Sequence, residues 1–391
     1  MSHTKATQLI HDPQRGKTYT SANIPLYYSS TYHQQTLGGE TTYDYARSGN
    51  PNRELLETKL AELENGTHGF AFNSGISAIT SVFLTLKAGD HVILPDDVYG
   101  GTFRLTEQIL SKFDIHFTTV NAEKTENFEK SITPRTRLIY VETPSNPLFK
   151  ITHIRGVAQI AKKHNLLLAV DNTFMTPIAQ NPLDLGADIV IHSATKFLGG
   201  HSDLIAGAVI TNHEAFAEAL YLIQNGAGTG LSVYDSWTLT QHLKTLNVRF
   251  QQSSKSAQRI VRFLEQHPAV ADIYYPGYST VHLNQATHGG AVFGFRLKHE
   301  HLAQTFVDAL NIPLVSVSLG GVETILSHPY SMSHAAIPQH IREARGITVG
   351  LFRLSVGLED PDTLISDLDY ALKEVYDESL IEHPERHYSS G

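Results

Sequence analysis

The chain has 391 residues, of which 41% are hydrophobic and 18% are charged, so it is long and apolar enough for one large globular domain or two. Its net charge of −9, without long runs of like charge, argues against a nucleic-acid partner, and no apolar run approaches the roughly 20 residues that span a bilayer. The chain has no cysteine, its 22 histidines show no metal-ligand spacing and its first residues show no signal-peptide pattern, so we expect a cytoplasmic protein without a metal site or disulfides.

The beginning of the chain predicts a polar arm, then a helix and a strand. Residues 1–50 are polar with weak periodicity, which favours an extended arm. Asn52 is then expected to cap an amphipathic helix whose leucines recur on one face. A short apolar strand that begins at Gly69 meets a Ser-Gly turn, where a second helix begins that is predicted to run through Leu86. This unit presents a helix N-terminus at the turn.

Strands and helices then alternate up to residue 210. The predicted strands are residues 91–94, 137–141, 166–170, 188–191 and 207–210, and the predicted helices are residues 102–113 and 154–164. Such alternation is typical of a mainly parallel sheet that helices cover on both faces, and ligands bind such sheets at the carboxyl ends of the strands. The polar residues that follow predicted strand ends are Ser74, Tyr99, Asn146, Asp171 and Lys196.

The pattern changes around residue 235. Two helices are predicted at residues 236–246 and 248–265. The later segments are strands at residues 291–297, 314–318 and 351–355, interleaved with helices at residues 301–310, 338–345 and 361–375. This mixture predicts a smaller α/β domain with an antiparallel sheet, and the polar residues 377–391 predict a frayed end. We therefore expect an arm of residues 1–50, a large domain of residues 51–245 and a small domain of residues 246–391.

One stretch, residues 188–203, carries the chemistry on which the other candidates depend. An apolar β-branched run leads into Ser193-Ala-Thr-Lys196, which two glycines follow after Phe-Leu. A lysine just past the end of a buried strand is partly desolvated, which favours its neutral, nucleophilic amine. Such a lysine forms a Schiff base with a carbonyl, and pyridoxal phosphate (PLP) is the commonest carbonyl cofactor that proteins hold in this way. We therefore predict that Lys196 binds PLP.

Two further features are consistent with that cofactor. Asp171 ends an apolar strand, where a buried carboxylate needs a cationic partner such as a protonated pyridine nitrogen. Ser74-Gly75-Ile76 opens a helix, whose free N–H groups and dipole favour an anion such as phosphate. The hydroxyls of Ser193 and Thr195 could donate to the same phosphate.

Three other polar residues are further candidates. Tyr99 and Arg353 have two interpretations each, and Asn146 has a weaker signal. Tyr99 precedes two glycines that leave room for a ligand, so it is either a stacking partner for an aromatic ring or a core tyrosine. Asn146 lies in a loop bracketed by prolines. Arg353 lies within an apolar strand, so it either binds a substrate α-carboxylate or forms an internal ion pair.

Taken together, these segments resemble the Cys/Met metabolism family of fold-type-I PLP enzymes, which includes cystathionine γ-synthases, cystathionine β- and γ-lyases and methionine γ-lyases. The resemblance extends from about residue 20 to about residue 375, and its most specific motif is Ser193-Ala-Thr-Lys196-Phe-Leu-Gly-Gly-His-Ser-Asp203. The accompanying motifs follow in the expected order: Tyr45-Ala-Arg47-Ser-Gly-Asn-Pro, Val98-Tyr99-Gly-Gly-Thr, Glu142-Thr-Pro-Ser-Asn-Pro, Asp171-Asn-Thr-Phe and Arg353-Leu-Ser-Val-Gly-Leu-Glu-Asp. The resemblance implies an α/β fold, with a mainly parallel seven-stranded sheet in a large domain and a smaller C-terminal α/β domain.

The resemblance also implies a role for each candidate residue. The catalytic residues would be Lys196, which holds PLP and later moves the substrate proton, Asp171, which pairs with the pyridine nitrogen, and Tyr99, which stacks on the ring. The phosphate ligands would be Gly75, Ile76, Ser193 and Thr195, together with Tyr45 and Arg47 of a neighbouring subunit. The substrate ligands would be Asn146, Ser318, Arg353 and Tyr45. The active unit would then be a dimer, doubled to a homotetramer.

Within the family the chain looks most like the bacterial cystathionine β-lyases of Gram-positive type. This implies a carbon–sulfur lyase that acts on an amino-acid thioether, by β-elimination of L-cystathionine to homocysteine, pyruvate and ammonia in methionine biosynthesis. Gly101 stands where methionine γ-lyases typically carry a cysteine, and Val317 stands where many γ-enzymes have a glutamate before the serine that matches Ser318. The alternative within the family is γ-elimination or γ-replacement on cystathionine or an O-acylhomoserine such as O-acetylhomoserine.

Two hypotheses from other functional classes are weaker. Ser193-x-x-Lys196 formally matches a serine acyl-enzyme pattern, but no Ser-Asp-Asn or Lys-Thr-Gly motif accompanies it, and a predicted strand rather than a helix precedes it. Gly226-Ala-Gly-Thr-Gly is rich enough in glycine for a nucleotide-binding loop, but no predicted strand precedes those glycines.

Overall fold

The structure is a computed structural model of the chain, and it describes residues 4–10, 21–39, 41–335 and 337–382. These residues form two compact units. The first unit comprises the described residues up to Ser145, together with Lys150–Val248 and Val281–Thr287. The second unit comprises Asn146–Phe149, Arg249–Thr280 and the described residues from His288 onward. The three predicted domain ranges, 1–50, 51–245 and 246–391, stay a prediction.

Helices and strands alternate along most of the described chain. The α-helices are α1 Lys5–Ile10, α2 Pro51–Leu63, α3 Gly75–Phe83, α4 Gly100–Arg104, α5 Thr125–Lys130, α6 Ile154–Lys163, α7 Thr176–Ala179, α8 Glu214–Gly226, α9 Val233–Leu243, α10 Leu246–Leu264, α11 Thr280–Leu283, α12 Ala303–Ala309, α13 Gln339–Ala344 and α14 Pro361–Glu382. The strands are β1 His68–Phe72, β2 His91–Pro95, β3 His116–Val120, β4 Thr136–Glu142, β5 Leu167–Asp171, β6 Ile189–His192, β7 Gly207–Thr211, β8 Val270–Tyr274, β9 Val292–Leu297, β10 Leu314–Val315, β11 Ile325–Ser327 and β12 Leu351–Ser355. None of the helices in these described ranges has the length and hydrophobicity needed to cross a membrane.

The first unit is built on a seven-stranded sheet with the strand order β1-β7-β6-β5-β4-β2-β3. All neighbours are parallel except β7, which is antiparallel to both β1 and β6. One apolar core lies between the sheet and helices α3 and α8, and a second core involves α5 and α6. Because both faces of the sheet are covered, its central strands are apolar throughout rather than alternating. The predicted mainly parallel seven-stranded sheet is confirmed.

The second unit contains a five-stranded sheet with the order β10-β11-β12-β9-β8. Its neighbours are antiparallel except β10 and β11, which are parallel. Its core includes apolar side chains of α10, α12 and α14, and four phenylalanines at its centre pack ring against ring: Phe293, Phe295, Phe306 and Phe352. The predicted smaller α/β domain with an antiparallel sheet is confirmed, apart from the short parallel strand β10.

Several predicted element bounds are wrong for local reasons. Asn50, not Asn52, caps α2, because the Asn50 side chain accepts the Asn52 N–H and Pro51 is well suited to the first helical position. The predicted helix at residues 102–113 is instead α4 followed by a π-helical turn and a 3₁₀ turn. The second predicted helix ends at Phe83 rather than at Leu86.

Other elements have little or no sequence pattern. The arm of residues 1–50 was expected to be extended, but it contains α1 among its described residues. The edge strand β3 is half exposed, and its buried and exposed residues alternate poorly. The sequence shows no clear signal for helix α8, and strand β11 has only three residues. The strand predicted at residues 314–318 keeps only two residues in the sheet. The sequence predicts a frayed end from residue 377, but helix α14 continues through residues 377–382. Residues 383–391 lie outside the described chain.

A glycine allows β1 to lie directly on α2. An added Cβ at Gly69 would be 2.2 Å from the carbonyl oxygen of Glu57 in α2 and 3.0 Å from its carbonyl carbon. Main-chain atoms inside a packed helix cannot move aside independently, so this contact sets the distance between strand and helix.

We expect Gly69→Ala to destabilise the chain by about 1–3 kcal/mol, because the methyl group forces β1 away from α2. A fall in the midpoint of thermal unfolding measures this. Gly226→Ala at the end of α8 is the control, since nothing lies within 4 Å of its added Cβ, and its midpoint should equal or slightly exceed that of the unaltered chain because alanine favours the helix. Equal midpoints for all three proteins would contradict the packing argument.

Candidate active site

Lys196 lies in a loop that buried apolar side chains hold in place. The loop follows β6, and its Phe197 and Leu198 side chains are buried, whereas Lys196 is half-buried. The Lys196 N–H donates to the Ser193 carbonyl at 3.1 Å, and the Gly200 N–H donates to the Lys196 carbonyl at 2.7 Å. The backbone of the lysine is therefore fixed on both sides, close to the carboxyl end of β6.

The N-terminus of α3 and Ser193 form one surface. The Ser74 Oγ accepts the Ser77 N–H at 3.0 Å, and the N–H groups of Gly75 and Ile76 belong to the first turn, which has no intrahelical acceptors. An added Cβ at Gly75 would be 2.7 Å from both the Cβ and the Oγ of Ser193. Glycine at this position thus lets the helix N-terminus and the serine hydroxyl approach one another, and together they favour an anion.

Thr195 is held by a different partner from the one that the sequence suggests. Its Oγ1 donates to the Ala206 carbonyl at 3.1 Å and accepts the Ala206 N–H at 3.0 Å. Its own N–H donates to the same carbonyl at 3.1 Å. The role of the Thr195 hydroxyl as a phosphate ligand stays a prediction, and it requires this hydroxyl to exchange its bond to Ala206 for one to phosphate.

Asp171 is the last residue of β5, and hydrogen bonds connect it to the surface described above. Its Oδ1 accepts the Thr173 N–H at 2.9 Å, and its Oδ2 accepts the Tyr140 hydroxyl at 3.4 Å. The Thr173 Oγ1 in turn accepts the Ser193 N–H at 2.8 Å. Burial raises the pKa of the Asp171 carboxyl, and the hydrogen bonds from Thr173 oppose this shift. A cation placed here would favour the ionised carboxylate.

Tyr99 lies at the start of α4 with 42% of its surface exposed. Its N–H donates to Oε2 of Glu142 at 2.9 Å. An added Cβ at Gly101 would be 2.5 Å from Cε1 of the tyrosine ring. The ring position therefore depends on glycine at 101, and its exposed face is available to stack on a planar ligand.

Sequence reasoning assigns no role to Glu142, yet the structure places it beside two predicted residues. It is the last residue of β4, it is 7% exposed, and it lies in register with Asp171 on β5. It accepts the Tyr140 hydroxyl at 3.0 Å as well as the Tyr99 N–H. Burial, reinforced by the negative charge of Asp171, raises the pKa of Glu142 to about 8. The available signal was the period of two that places residues 140 and 142 on one face of β4.

Tyr45 and Arg47 lie on the surface of the first unit, in the segment before α2. The Arg47 guanidinium lies 5.7 Å from the centroid of the Tyr45 ring, and its Nη1 donates to the Asn225 carbonyl at 3.4 Å. Arg53 holds this segment by donating to the Ala46 and Arg47 carbonyls, each at 3.0 Å. The structure therefore brings these two residues together with each other, and their contact with a neighbouring subunit stays a prediction.

The second unit brings Arg353, Asn146 and Ser318 together. The buried Arg353 in β12 donates from Nη1 to Oδ1 of Asn146 at 2.9 Å. Its Nη2 donates to the Ser318 carbonyl at 2.5 Å and to Oγ of Ser327 at 2.9 Å. Ser318 has a φ of 83°, which is rare for a residue with a side chain, and its carbonyl accepts the hydrogen bond from the arginine. The guanidinium is thus already oriented by neutral acceptors.

Two members of this group have no signal in the sequence. Ser327 lies on the three-residue strand β11, which is too short to show a period. His334 is 3% exposed, and burial together with the charge of Arg353 lowers the pKa of His334 to about 4. The imidazole is therefore neutral near pH 7, so it leaves the positive charge of the group to the arginine.

The residues of the first unit fit PLP. The α3 N-terminus and Ser193 suit a phosphate, the exposed face of Tyr99 suits an aromatic ring, and the Lys196 amine suits an aldehyde. The strongest argument is Asp171, because a carboxyl whose pKa burial has raised gains stability from a cationic ring nitrogen. Each of these predicted residues lies at the same end of the sheet strands.

Comparisons with known proteins agree with this chemistry. Residues 6–373 match the family model described as Cys/Met metabolism PLP-dependent enzyme. A cystathionine beta-lyase MetC of Staphylococcus haemolyticus is 67% identical over 391 residues, which is 100% of each chain. A cystathionine beta-lyase MetC of Bacillus subtilis is 48% identical over 378 residues, covering 95% of this chain and 97% of the relative.

A solved structure shows the same likeness in three dimensions. The crystal structure of cystathionine gamma-lyase from Lactobacillus plantarum complexed with L-serine matches with a TM-score of 0.93 and 43% identity, covering 96% of this chain and 100% of that chain. The family model covers nearly the whole described chain, including both units. The chain therefore belongs to the Cys/Met metabolism PLP-dependent enzymes, with the fold of that family.

Proposed function

We propose that the chain is a PLP-dependent carbon–sulfur lyase that cleaves L-cystathionine by β-elimination, giving homocysteine, pyruvate and ammonia for methionine biosynthesis. The observation that carries this proposal is the 67% identity, over the whole of both chains, to a cystathionine beta-lyase. A cystathionine beta-lyase of Bacillus subtilis, at 48% identity, supports the same reaction.

The first unit supplies the residues that would hold the cofactor. PLP, when bound, supplies an electron sink that stabilises negative charge at the substrate α-carbon. The Lys196 amine would bind its aldehyde carbon, Asp171 would pair with its ring nitrogen and Tyr99 would stack on its ring. The phosphate ligands would be Gly75, Ile76, Ser193 and Thr195.

Lys196 has a second role, as the base that moves the substrate proton. The ε-amine of Lys196 would remove the proton from the substrate Cα. Loss of the thiolate from Cβ then breaks the carbon–sulfur bond. The loop hydrogen bonds to the Lys196 N–H and carbonyl fix the backbone from which this amine extends.

The second unit supplies the ligands for the substrate carboxylate: Arg353, Asn146 and Ser318. Arg353 provides a planar pair of donors that suits a carboxylate, and its present acceptors already hold the guanidinium in one orientation. A carboxylate fixed in this way selects which bond at Cα is held ready for cleavage. Tyr45 is a further proposed substrate ligand.

The proposed assembly is a homotetramer made of two active dimers in the cytoplasm. Tyr45 and Arg47 support it, because both are exposed and their cation–π contact presents a hydroxyl and a guanidinium at the surface. These groups would reach the phosphate in a neighbouring subunit.

A γ-lyase reaction is the second candidate. The similar structure from Lactobacillus plantarum is that of a cystathionine gamma-lyase with 43% identity. Val317 opposes this candidate, since many γ-enzymes have glutamate at the position before the serine that matches Ser318. The two reactions release different keto acids, so they are separable by product.

With L-cystathionine as substrate, we expect pyruvate and homocysteine as the main products, identified by mass spectrometry. Lys196→Ala is the control for contaminating enzymes and should form no keto acid. If 2-oxobutyrate and cysteine predominate, the reaction is γ-elimination and the proposal of β-elimination is wrong. Turnover by Lys196→Ala equal to that of the unaltered chain would overturn the assignment of the lysine.

Gly75→Ala should weaken the binding of PLP to the cofactor-free chain about tenfold or more, because the methyl group pushes Ser193 away from the α3 N-terminus. Fluorescence titration with PLP measures the dissociation constant. Gly226→Ala, which meets no atom within 4 Å, should bind PLP like the unaltered chain. If Gly75→Ala also binds PLP normally, the phosphate does not lie against this surface.

Arg353→Lys should raise KM for L-cystathionine about 10–100-fold, because lysine keeps the charge but loses the paired donors to a carboxylate. Steady-state kinetics measure KM and kcat separately. Arg259→Lys is a suitable control in the same unit, since Arg259 is half exposed and pairs with Asp362 on the surface. A KM for Arg353→Lys within error of that control would remove Arg353 from the substrate site.

A further inference from the structure

Two acidic side chains lie next to each other at the ends of β4 and β5. Glu142 and Asp171 are register partners on these parallel strands, so their side chains leave the same face of the sheet. Glu142 is buried and Asp171 is half-buried. Asp171 is the residue proposed above to pair with the ring nitrogen of PLP, so Glu142 stands one strand away from that pair.

Glu142 also holds the residue proposed to stack on the ring. Its Oε2 accepts the Tyr99 N–H at 2.9 Å, which fixes the main chain at the start of α4. Its Oε1 lies 3.5 Å from Oγ1 of Thr102 in the same helix. Glu142 is therefore in contact with the element that carries Tyr99 and adjacent to the strand that carries Asp171.

A single phenol lies between the two carboxyl groups. The hydroxyl of Tyr140, which is fully buried, is 3.0 Å from Oε1 of Glu142 and 3.4 Å from Oδ2 of Asp171. It has one proton to donate, so it can satisfy only one of the two carboxylates at a time. The carboxyl group that does not receive this hydrogen bond is more stable when it is protonated.

The charges around Glu142 disfavour its ionised form. The titratable groups that face it are Asp171, Tyr140 and Asp97, all of them neutral or negative. The cation Lys150 pairs with Asp97, since its Nζ lies 4.0 Å from Oδ2 of that aspartate. Burial raises the pKa of Glu142 to about 8, in agreement with this arrangement. In the cofactor-free chain, burial and the shared Tyr140 hydroxyl therefore favour the protonated form of Glu142.

We propose that Glu142 is a positioning residue that releases its proton to solvent when a cationic ring nitrogen pairs with Asp171, and that its carboxylate then helps to keep that nitrogen protonated. The inference rests on the proposed roles of Asp171 and Tyr99. A positive charge beside Asp171 offsets the negative charge that disfavours ionised Glu142. The charge of the carboxyl pair is then compensated by the cationic ring instead of by the proton on Glu142. Because Glu142 also holds the Tyr99 backbone, the stacking residue and the ring-nitrogen partner are linked through Glu142 and the Tyr140 hydroxyl.

Glu142→Gln tests the proposal because glutamine has the same shape and its amide oxygen can still accept the Tyr99 N–H, but it cannot ionise. PLP is titrated calorimetrically into the cofactor-free chain at pH 7, in two buffers of different ionisation enthalpy, to count the protons released. We expect the unaltered chain to release more protons than Glu142→Gln, by up to about one per site. Equal proton counts in the two proteins would overturn the proposal.

Glu57→Gln is the matched control. Glu57 is another mostly buried carboxylate in the first unit, it accepts the Ala71 N–H at 2.9 Å, and burial raises its pKa. It has no part in the proposed cofactor site, so this variant should release as many protons as the unaltered chain. A loss of protons in Glu57→Gln equal to that in Glu142→Gln would show that the effect is not specific to Glu142.

A second measurement avoids the variant, in case Glu142→Gln does not fold. Infrared difference spectroscopy of the unaltered chain at pH 7 should show the carbonyl stretch of a protonated carboxylic acid that disappears when PLP is added. A band that persists contradicts the proposal. Failure of the unaltered chain to bind PLP would instead contradict the proposed function, so the two failures are distinguishable.

Discussion

The burial of the Asp171 carboxylate at the end of β5 is the constraint on which the rest of the site depends. The apolar strand places the carboxyl where burial disfavours ionisation. A nearby cation or protonation of the carboxyl is needed to stabilise it there. Thr173 ties the same aspartate to Ser193, and Ser193 meets the N-terminus of α3. A ligand with a cationic ring and an anionic tail would satisfy both ends of this arrangement at once.

The fold could be predicted where hydrophobic runs were long and buried on both faces. Strands β2, β5 and β6 and helix α6 appear close to their expected positions because apolar residues dominate them. Edge strand β3 and the short strand β11 could not, since partial exposure or short length removes the pattern. The sequence predicts the helix cap at Asn52 rather than at Asn50 because asparagines flank Pro51 on both sides, and only hydrogen-bond geometry distinguishes them.

Candidate site residues could be proposed from the sequence where they fall within one contiguous motif or directly follow a strand. Lys196 and Asp171 are such residues. Glu142, Ser327 and His334 are different, because their importance comes from contacts between distant segments that no local pattern records. The proposed roles of Thr195 and Ser318 illustrate the same limit: the structure shows a hydroxyl bonded to Ala206 in one case and a carbonyl facing Arg353 in the other.

The close approach of Gly101 to the Tyr99 ring has an evolutionary consequence. The backbone of Tyr99 is anchored to Glu142, so when any larger residue replaces this glycine, the ring is the part that must rotate. A lineage that acquires a side chain at position 101 thereby changes the tilt of an aromatic surface in the same step. One exchange at position 101 can therefore reorient this aromatic surface while Arg353 and Lys196 stay unchanged.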